Sequence, residues 1–327
     1  MRHSSSRRRA ATPRARSGAS TKRIRELEAA TIRRALTRSL ARRDIARLGY
    51  VDDAHVEAFA RETGASGARH APLVHRGYWA RSTATRALSD AFGSAVGDGR
   101  FNVVNVGCGY DTIGFYVMER WANARVVEVD HEEVTKERRA RSEASAGTAA
   151  AAASEMYDLR ACDVRDGEAL ARIFEEVKLD WSAPTLVIAE CVLAYLPPGK
   201  SDEVVRFFGE RVERGAFISY DPIEPDDAFG RQMVRNVESR GCAFAGIRDA
   251  PSVAGARARF ERNAWRRAEA YDMNEVYARL DPVERARIER IELFDEFEEW
   301  KLIMAHYCVS VGVNDDEGGV LADFGLR

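Results

Sequence analysis

Apolar positions in this chain recur with two different periods. Ile24, Leu27, Ile32, Leu36 and Leu40 follow one another at spacings of three to five residues, with charged or small residues between them. That period predicts a helix with one buried face. A second helix is predicted over 78–92, "YWARSTATRALSDAF". The period then changes. Short runs follow at 101–106 (FNVVNV), 125–130 (RVVEVD), 159–164 (LRACDV), 185–190 (TLVIAE) and 216–221 (AFISYD), separated by helix-like stretches. Runs that are apolar on both faces and spaced by twenty-odd residues predict a parallel sheet covered by helices. The Ala-rich 143–155 falls between the second and third runs and reads as a tolerated insertion.

From about 224 the pattern turns to long helical stretches. "DMNE" at 272–275 and "DPVE" at 281–284 each set a capping acid three residues before a glutamate, and the second adds proline at the first helical position. "HYCVSVGV" at 306–313 predicts a late strand returning to the sheet. The expected fold is α/β, a doubly wound, mostly parallel seven-stranded sheet. Its parts are a helical cap over 24–92, a core over 100–222, a helical insertion over 224–300 that walls the substrate side, and a final strand region over 301–327. Residues 1–23 are expected to form a disordered basic tail.

Composition narrows the function. The net charge of −2 conceals a division, because residues 1–25 hold nine Lys or Arg and no acid. The remainder has 41 basic against 52 acidic residues, a net −11, which weighs against a large nucleic-acid surface. The acid-poor head also resembles an organelle transit peptide. No apolar run approaches the roughly 20 residues needed to span a bilayer, and no secretory signal is present, so a cytoplasmic location is expected. Five widely spaced cysteines without a CxxC or Cys/His cluster predict buried free thiols and no metal site.

The chemistry concentrates after the first strand, in "NVGCGYDT" at 105–112. Gly107 permits a tight turn, and Gly109 leaves room for a cofactor to approach the backbone. Thr112 stands where a third glycine would complete a dinucleotide fingerprint, which makes NAD a poorer fit. Asp130 closes the second strand about 20 residues on, where a carboxylate can accept hydrogen bonds from both ribose hydroxyls. Asp163 closes the third, placed to meet an adenine edge. GxG followed by two strand-closing acids is the arrangement of S-adenosylmethionine-dependent methyltransferases. No GxSxG elbow occurs, so a serine hydrolase is discarded.

"RGYWAR" at 76–81, "NVGCGYDT", "EVD" at 128–130, "IAECVLAYLPP" at 188–198, "DAFGRQMVRN" at 227–236 and "IELFDEFEEWKLIMAHYC" at 291–308 resemble, in order, the motifs of the leucine carboxyl methyltransferase family. The resemblance covers roughly 40–315. It implies methyl transfer from S-adenosylmethionine to the α-carboxylate of the C-terminal leucine of type 2A protein phosphatase catalytic subunits. Arg81 then meets the cofactor carboxylate, and Gly107, Asp130, Asp163, Val164 and Glu190 supply further contacts. Arg42 falls where the family has a lysine that reaches the cofactor; the bland reading is an arginine on a solvated helix face. For Arg81 the bland reading is a structural ion pair.

A chain-terminal carboxylate is ionised at neutral pH, so it needs no general base, only alignment and exclusion of water. Should a base exist, His75 is the first suspect. Tyr195, in the loop after Glu190, either lines the substrate pocket or packs against the sheet. A second function within the family is methylation of the carboxyl of a hypermodified tRNA guanosine. Members of that branch carry a C-terminal β-propeller, and no repeats follow the last strand here. A third possibility is a silent protein that binds a nucleoside or a partner. The expectation is a monomer acting on the phosphatase tail.

Overall fold

In the computed structural model the described residues are 39–60 and 70–326. A seven-stranded sheet is ordered β3-β2-β1-β4-β5-β7-β6. Five strands are parallel: β1 (Phe101–Val106), β2 (Ala124–Asp130), β3 (Tyr157–Ala161), β4 (Thr185–Glu190) and β5 (Gly215–Pro222). β7 (Tyr307–Asn314) runs antiparallel between β5 and β6 (Arg267–Asp272). The sheet is therefore mixed, mostly parallel, and helices cover both sides.

Strand geometry sends successive side chains to opposite faces. Val103, Ile188, Ile218 and Val311 pack into one core with Trp79, Phe92 and Phe115. Val104, Val106, Val187 and Phe217 pack into the other with Phe208, Phe260 and Trp265. This two-sided burial is what the continuous apolar runs encode.

The helix α1 has its described part over 39–47, followed by α2 (Val56–Phe59) and the 25-residue α3 (Pro72–Val96). α3 extends the predicted 78–92 helix at both ends, with Pro72 at its first turn. Of the first periodic segment, Ile24 to Leu36 lie outside the described residues, as do the basic tail and its expected disorder. Between the strands run α4 (Ile113–Arg120), α5 (Glu132–Glu143), α6 (Ala146–Ala152), α7 (Gly167–Glu176) and α8 (Lys200–Gly209). The Ala-rich segment supplies α6, ahead of β3.

Two expectations about the strands are corrected. β3 ends at Ala161, so Asp163 stands two residues past the strand in a turn. β6 lies inside 224–300, where only helices were expected. Its sequence "RAEAYD" is half-buried at the sheet edge and carries neither an apolar run nor clean alternation. Around it are α9 (Ala228–Glu238), α10 (Val253–Glu261), α11 (Met273–Arg279), α12 (Pro282–Ile288) and α13 (Phe297–Ala305). Asp272 caps α11 by accepting from the Glu275 N–H, and Asp281 caps α12 through the Val283 N–H.

All five cysteines are free and buried. No described helix is long and apolar enough to cross a membrane.

Candidate active site

The site begins where β1 ends. Gly107 has φ +66°, and a Cβ there would sit 2.5 Å from Val192 Cγ2, so both the turn and the close approach of the β4 loop exclude a side chain. Gly109 has φ +52°. Its N–H donates to Asp130 Oδ2 at 2.7 Å, and the His131 N–H donates to Oδ1 at 2.7 Å. Burial raises the Asp130 pKa against the pull of these two donors. Each oxygen keeps acceptor capacity beyond the backbone bond it already makes.

Beneath the loop lies a buried polar network that sequence reasoning missed. Glu128, pointing from β2, is ion-paired with Arg138 of α5, and neither side chain has any exposed surface. Glu128 also accepts from Tyr157 Oη at 2.6 Å and from Asn105 Nδ2 at 2.9 Å. Arg138 Nη1 donates to the carbonyls of Gly109 at 3.1 Å and Asp111 at 2.6 Å, which pins the loop from below. Burial alone would lower the Arg138 pKa, but Glu128 and the neighbouring groups together outweigh it and the guanidinium is held charged. The available signal was a glutamate in the middle of an otherwise apolar strand, a residue that must find a partner when buried.

A second cluster surrounds the end of β4. Glu190 Oε2 accepts from Arg42 Nη2 at 2.9 Å and from Arg81 Nε at 2.6 Å, and Oε1 accepts from Thr85 Oγ1 at 2.6 Å. Arg42 is also ion-paired with Asp111. Arg42 is only 8% exposed, so it is not an arginine on a solvated helix face. Burial would lower the Arg42 pKa, but Asp111 and Glu190 together raise it. Burial would raise the Asp111 pKa, but Arg42 pulls it below the usual carboxylate range. Two buried cations thus face one buried and one partly buried anion, a balanced set able to receive one further zwitterion. Asp111 and Thr85 are the members that sequence reasoning missed; Asp111 sits inside the glycine motif itself.

Beyond Glu190 the chain turns sharply through Cys191, at φ +55°, whose N–H donates to the Tyr220 carbonyl at 2.6 Å. This bend opens a cavity of about 870 Å³ at the carboxyl ends of β4 and β5, lined by Arg81, Cys191, Tyr195 and Tyr220 on the sheet side. Such a position, outside the ends of parallel strands, is where α/β folds place their ligands. α9 and the segment after it supply apolar walls, among them Met233, Val237 and Phe244. The Arg81 guanidinium lies 4.9 Å from the centre of the Tyr220 ring, and Tyr195 packs on Phe244 with ring centres 4.8 Å apart. Tyr195 therefore lines the cavity and packs at once.

The side chains of the remaining predicted residues have partners outside both clusters. Asp163 is engaged by Arg165 through two nitrogens, at 2.8 Å to Oδ1 and 2.5 Å to Oδ2, which lowers its pKa. Val164 is buried in the second core. His75 Nδ1 meets Glu292 Oε2 at 2.7 Å. Thr112 bonds Asp53 Oδ2 at 2.5 Å.

The sheet order and the glycine-loop geometry define the class, a methyltransferase fold. A solved structure from Thermobifida fusca assigned to the methyltransferases shares it with a TM-score of 0.52 at 17% identity, over 75% of this chain and 84% of that one. The family model for leucine carboxyl methyltransferase matches residues 17–209. The chain is 37% identical over 293 residues to the leucine carboxyl methyltransferase 1 homolog of Arabidopsis thaliana, covering 85% of this chain and 87% of the relative. It is 32% identical over 300 residues to the tRNA wybutosine-synthesizing protein 4 of Rattus norvegicus, covering 85% of this chain but 43% of that relative. The chain belongs to the leucine carboxyl methyltransferase family.

Proposed function

We propose that this chain transfers the methyl group of S-adenosylmethionine to the α-carboxylate of the C-terminal leucine of a type 2A protein phosphatase catalytic subunit. The observation that carries this reading is the 870 Å³ cavity, whose apolar walls converge on Arg81 beside the Glu190 cluster. It has the shape and polarity to receive an apolar terminal residue and to set its carboxylate against a methyl donor.

The donor fits the groups present. The ribose hydroxyls fall to Asp130, and its zwitterionic amino-acid end falls to the Arg42–Asp111–Arg81–Glu190 set, where Arg81 takes the carboxylate and Glu190 the ammonium. Gly107 and Gly109 leave the backbone bare for its approach, with Asp163 and Val164 flanking the base. The sulfonium supplies an activated methyl group. The chain's own work is to align an ionised carboxylate with it and exclude water, with Tyr195 on the pocket wall. An oxygen–carbon bond forms as the sulfur–carbon bond breaks, the electron pair stays on sulfur, and no proton moves. Opposite charges cancel along the way, so an apolar cavity that solvates separated charges poorly favours the transfer. Positioning of this kind supplies about 7–11 kcal/mol.

A second reading, carboxyl methylation of a hypermodified tRNA guanosine, is favoured by the 32% identity to the wybutosine protein. The net −11 of the chain beyond residue 25 and the higher identity to the Arabidopsis relative favour the phosphatase. The test is to offer labelled donor with intact, C-terminally amidated and leucine-deleted phosphatase catalytic subunit, beside tRNA carrying the hypermodified base. Amidation removes the nucleophile, and deletion withdraws the carboxylate by about 3.5 Å. A shift of even 1 Å costs about 100-fold in rate. Label in the intact phosphatase alone is expected; label in the tRNA, with all phosphatase forms inert, installs the second reading.

A further inference from the structure

Beside the cavity, which His70 helps to line, three metal-ligating side chains converge. Asp44 lies on α1, His75 on α3, and His70 just before α3, and one donor atom of each lies within 4.8 Å of the others. His70 Nδ1 is already 2.8 Å from Asp44 Oδ2. The other Asp44 oxygen is 3.5 Å from Arg43, which leaves Oδ2 to face the histidines.

His75 carries the second observation. Its side chain has no exposed surface, and its Nε2 is buried with no hydrogen-bond partner among the described residues. Its other nitrogen, Nδ1, is 2.7 Å from Glu292 Oε2, an oxygen that also accepts from Tyr50 Oη at 3.0 Å. A carboxylate only accepts, so in the neutral ring the proton sits on Nδ1 and Nε2 is left as a bare lone pair. An imidazole oriented by a carboxylate through one nitrogen and bare at the other is the arrangement that holds a metal-binding histidine. A buried acceptor left unmet costs stability, and a cation removes that cost.

We propose that Asp44, His70 and His75 bind a divalent first-row transition ion of the Zn²⁺ class. Two imidazoles and one carboxylate suit that class better than Mg²⁺ or Ca²⁺, which take oxygen sets. Tetrahedral coordination at about 2.0–2.2 Å needs donor separations of roughly 3.3 Å, reached by side-chain rotation from the present spread. The fourth position is left for water, on the side where His70 borders the cavity. Asp44 lies two residues after Arg42 on α1, and Arg81 lies on α3 with His75, so the ion ties together the two helices whose arginines meet Glu190.

The experiment uses the full chain, stripped with chelator and titrated with Co²⁺ and then Zn²⁺. One equivalent of Co²⁺ with the intense visible bands of a tetrahedral site is expected, displaced by Zn²⁺. Asp44→Ala and His70→Ala, both at partly exposed positions, and His75→Asn should each weaken binding by at least 10- to 100-fold, the loss that removal of even an outer partner produces. Circular dichroism checks that the variants fold. Failure of the native chain to take up either ion overturns the proposal, and so does stoichiometric uptake that survives in both Asp44→Ala and His70→Ala.

Discussion

The two halves of the site are built differently. On the glycine-loop side, Gly109 and Asp130 meet across 21 residues, at the ends of two adjacent strands. On the cavity side, Glu190 gathers Thr85, Arg81 and Arg42 from 105, 109 and 148 residues away. The first half is a property of a strand–turn–helix unit and its neighbour. The second exists only when α1 and α3 are packed over the end of β4. The difference teaches that the cavity-side residues carry the fold and the site together, whereas the loop-side acid is freer to serve a ligand.

Matched isosteric changes test this, and the largest effect falls on the cavity side. Glu190→Gln removes the charge that compensates Arg81 and half of that compensating Arg42, leaving a buried cation short of its partner, so the loss of unfolding free energy should be about 3–5 kcal/mol. Denaturant titration measures it. If Glu190→Gln unfolds no more easily than Asp130→Asn, the contrast between the halves is wrong.

Asp130→Asn is the milder change to the fold. It turns one backbone acceptor into a donor, a cost of about 1–3 kcal/mol, and removes a charged acceptor from the ribose position. Affinity for S-adenosylhomocysteine should fall at least tenfold, by calorimetry; unchanged affinity removes Asp130 from the site.

The smallest effect is expected from pH. The nucleophile of the proposed reaction is ionised throughout, so the single-turnover rate with saturating substrates should stay nearly flat between about pH 6 and 8.5. A steep rise centred near pH 7 would reveal a general base. Stability should respond in acid. The Asp111 pKa is lowered in the fold, so the stability it contributes is complete above its unfolded value of about 3.9 and is lost as pH falls through the lower folded value. Asp111→Asn should flatten that acid limb of the stability profile.

Much of this molecule was legible from its order of residues. Strands apolar on both faces announce a sheet covered on both sides, and the runs at 101–106 and 185–190 coincide with β1 and β4. Gly107 was legible because a tight turn after a strand needs a positive φ, and Asp130 because strand length and the βα unit fix where the second strand ends. β6 was not, since an edge strand buries too little to impose a pattern on its sequence. Nor was the end of β3: "CDV" continues the apolar character of the run, but only pairing with β2, which stops at Asp130 opposite Ala161, decides where the ladder closes.

The pairings of charge were decided by tertiary structure alone. In sequence Arg42, Arg138 and Glu128 are three charges among the many of a chain that is 31% charged. Periodicity says which face of a helix is apolar, but a buried ion pair violates that pattern on both partners at once, and each violation looks like a solvent-facing residue until the elements pack. Arg138 meeting Glu128 under the glycine loop, and Arg42 meeting Asp111 and Glu190, are compatible with burial only because the partner arrives from another element at hydrogen-bonding distance. The sequence by itself determined the sheet, the glycine turn and the strand-end acid; the packing of distant segments decided which charges could leave water, and so where the cavity and its arginines stand.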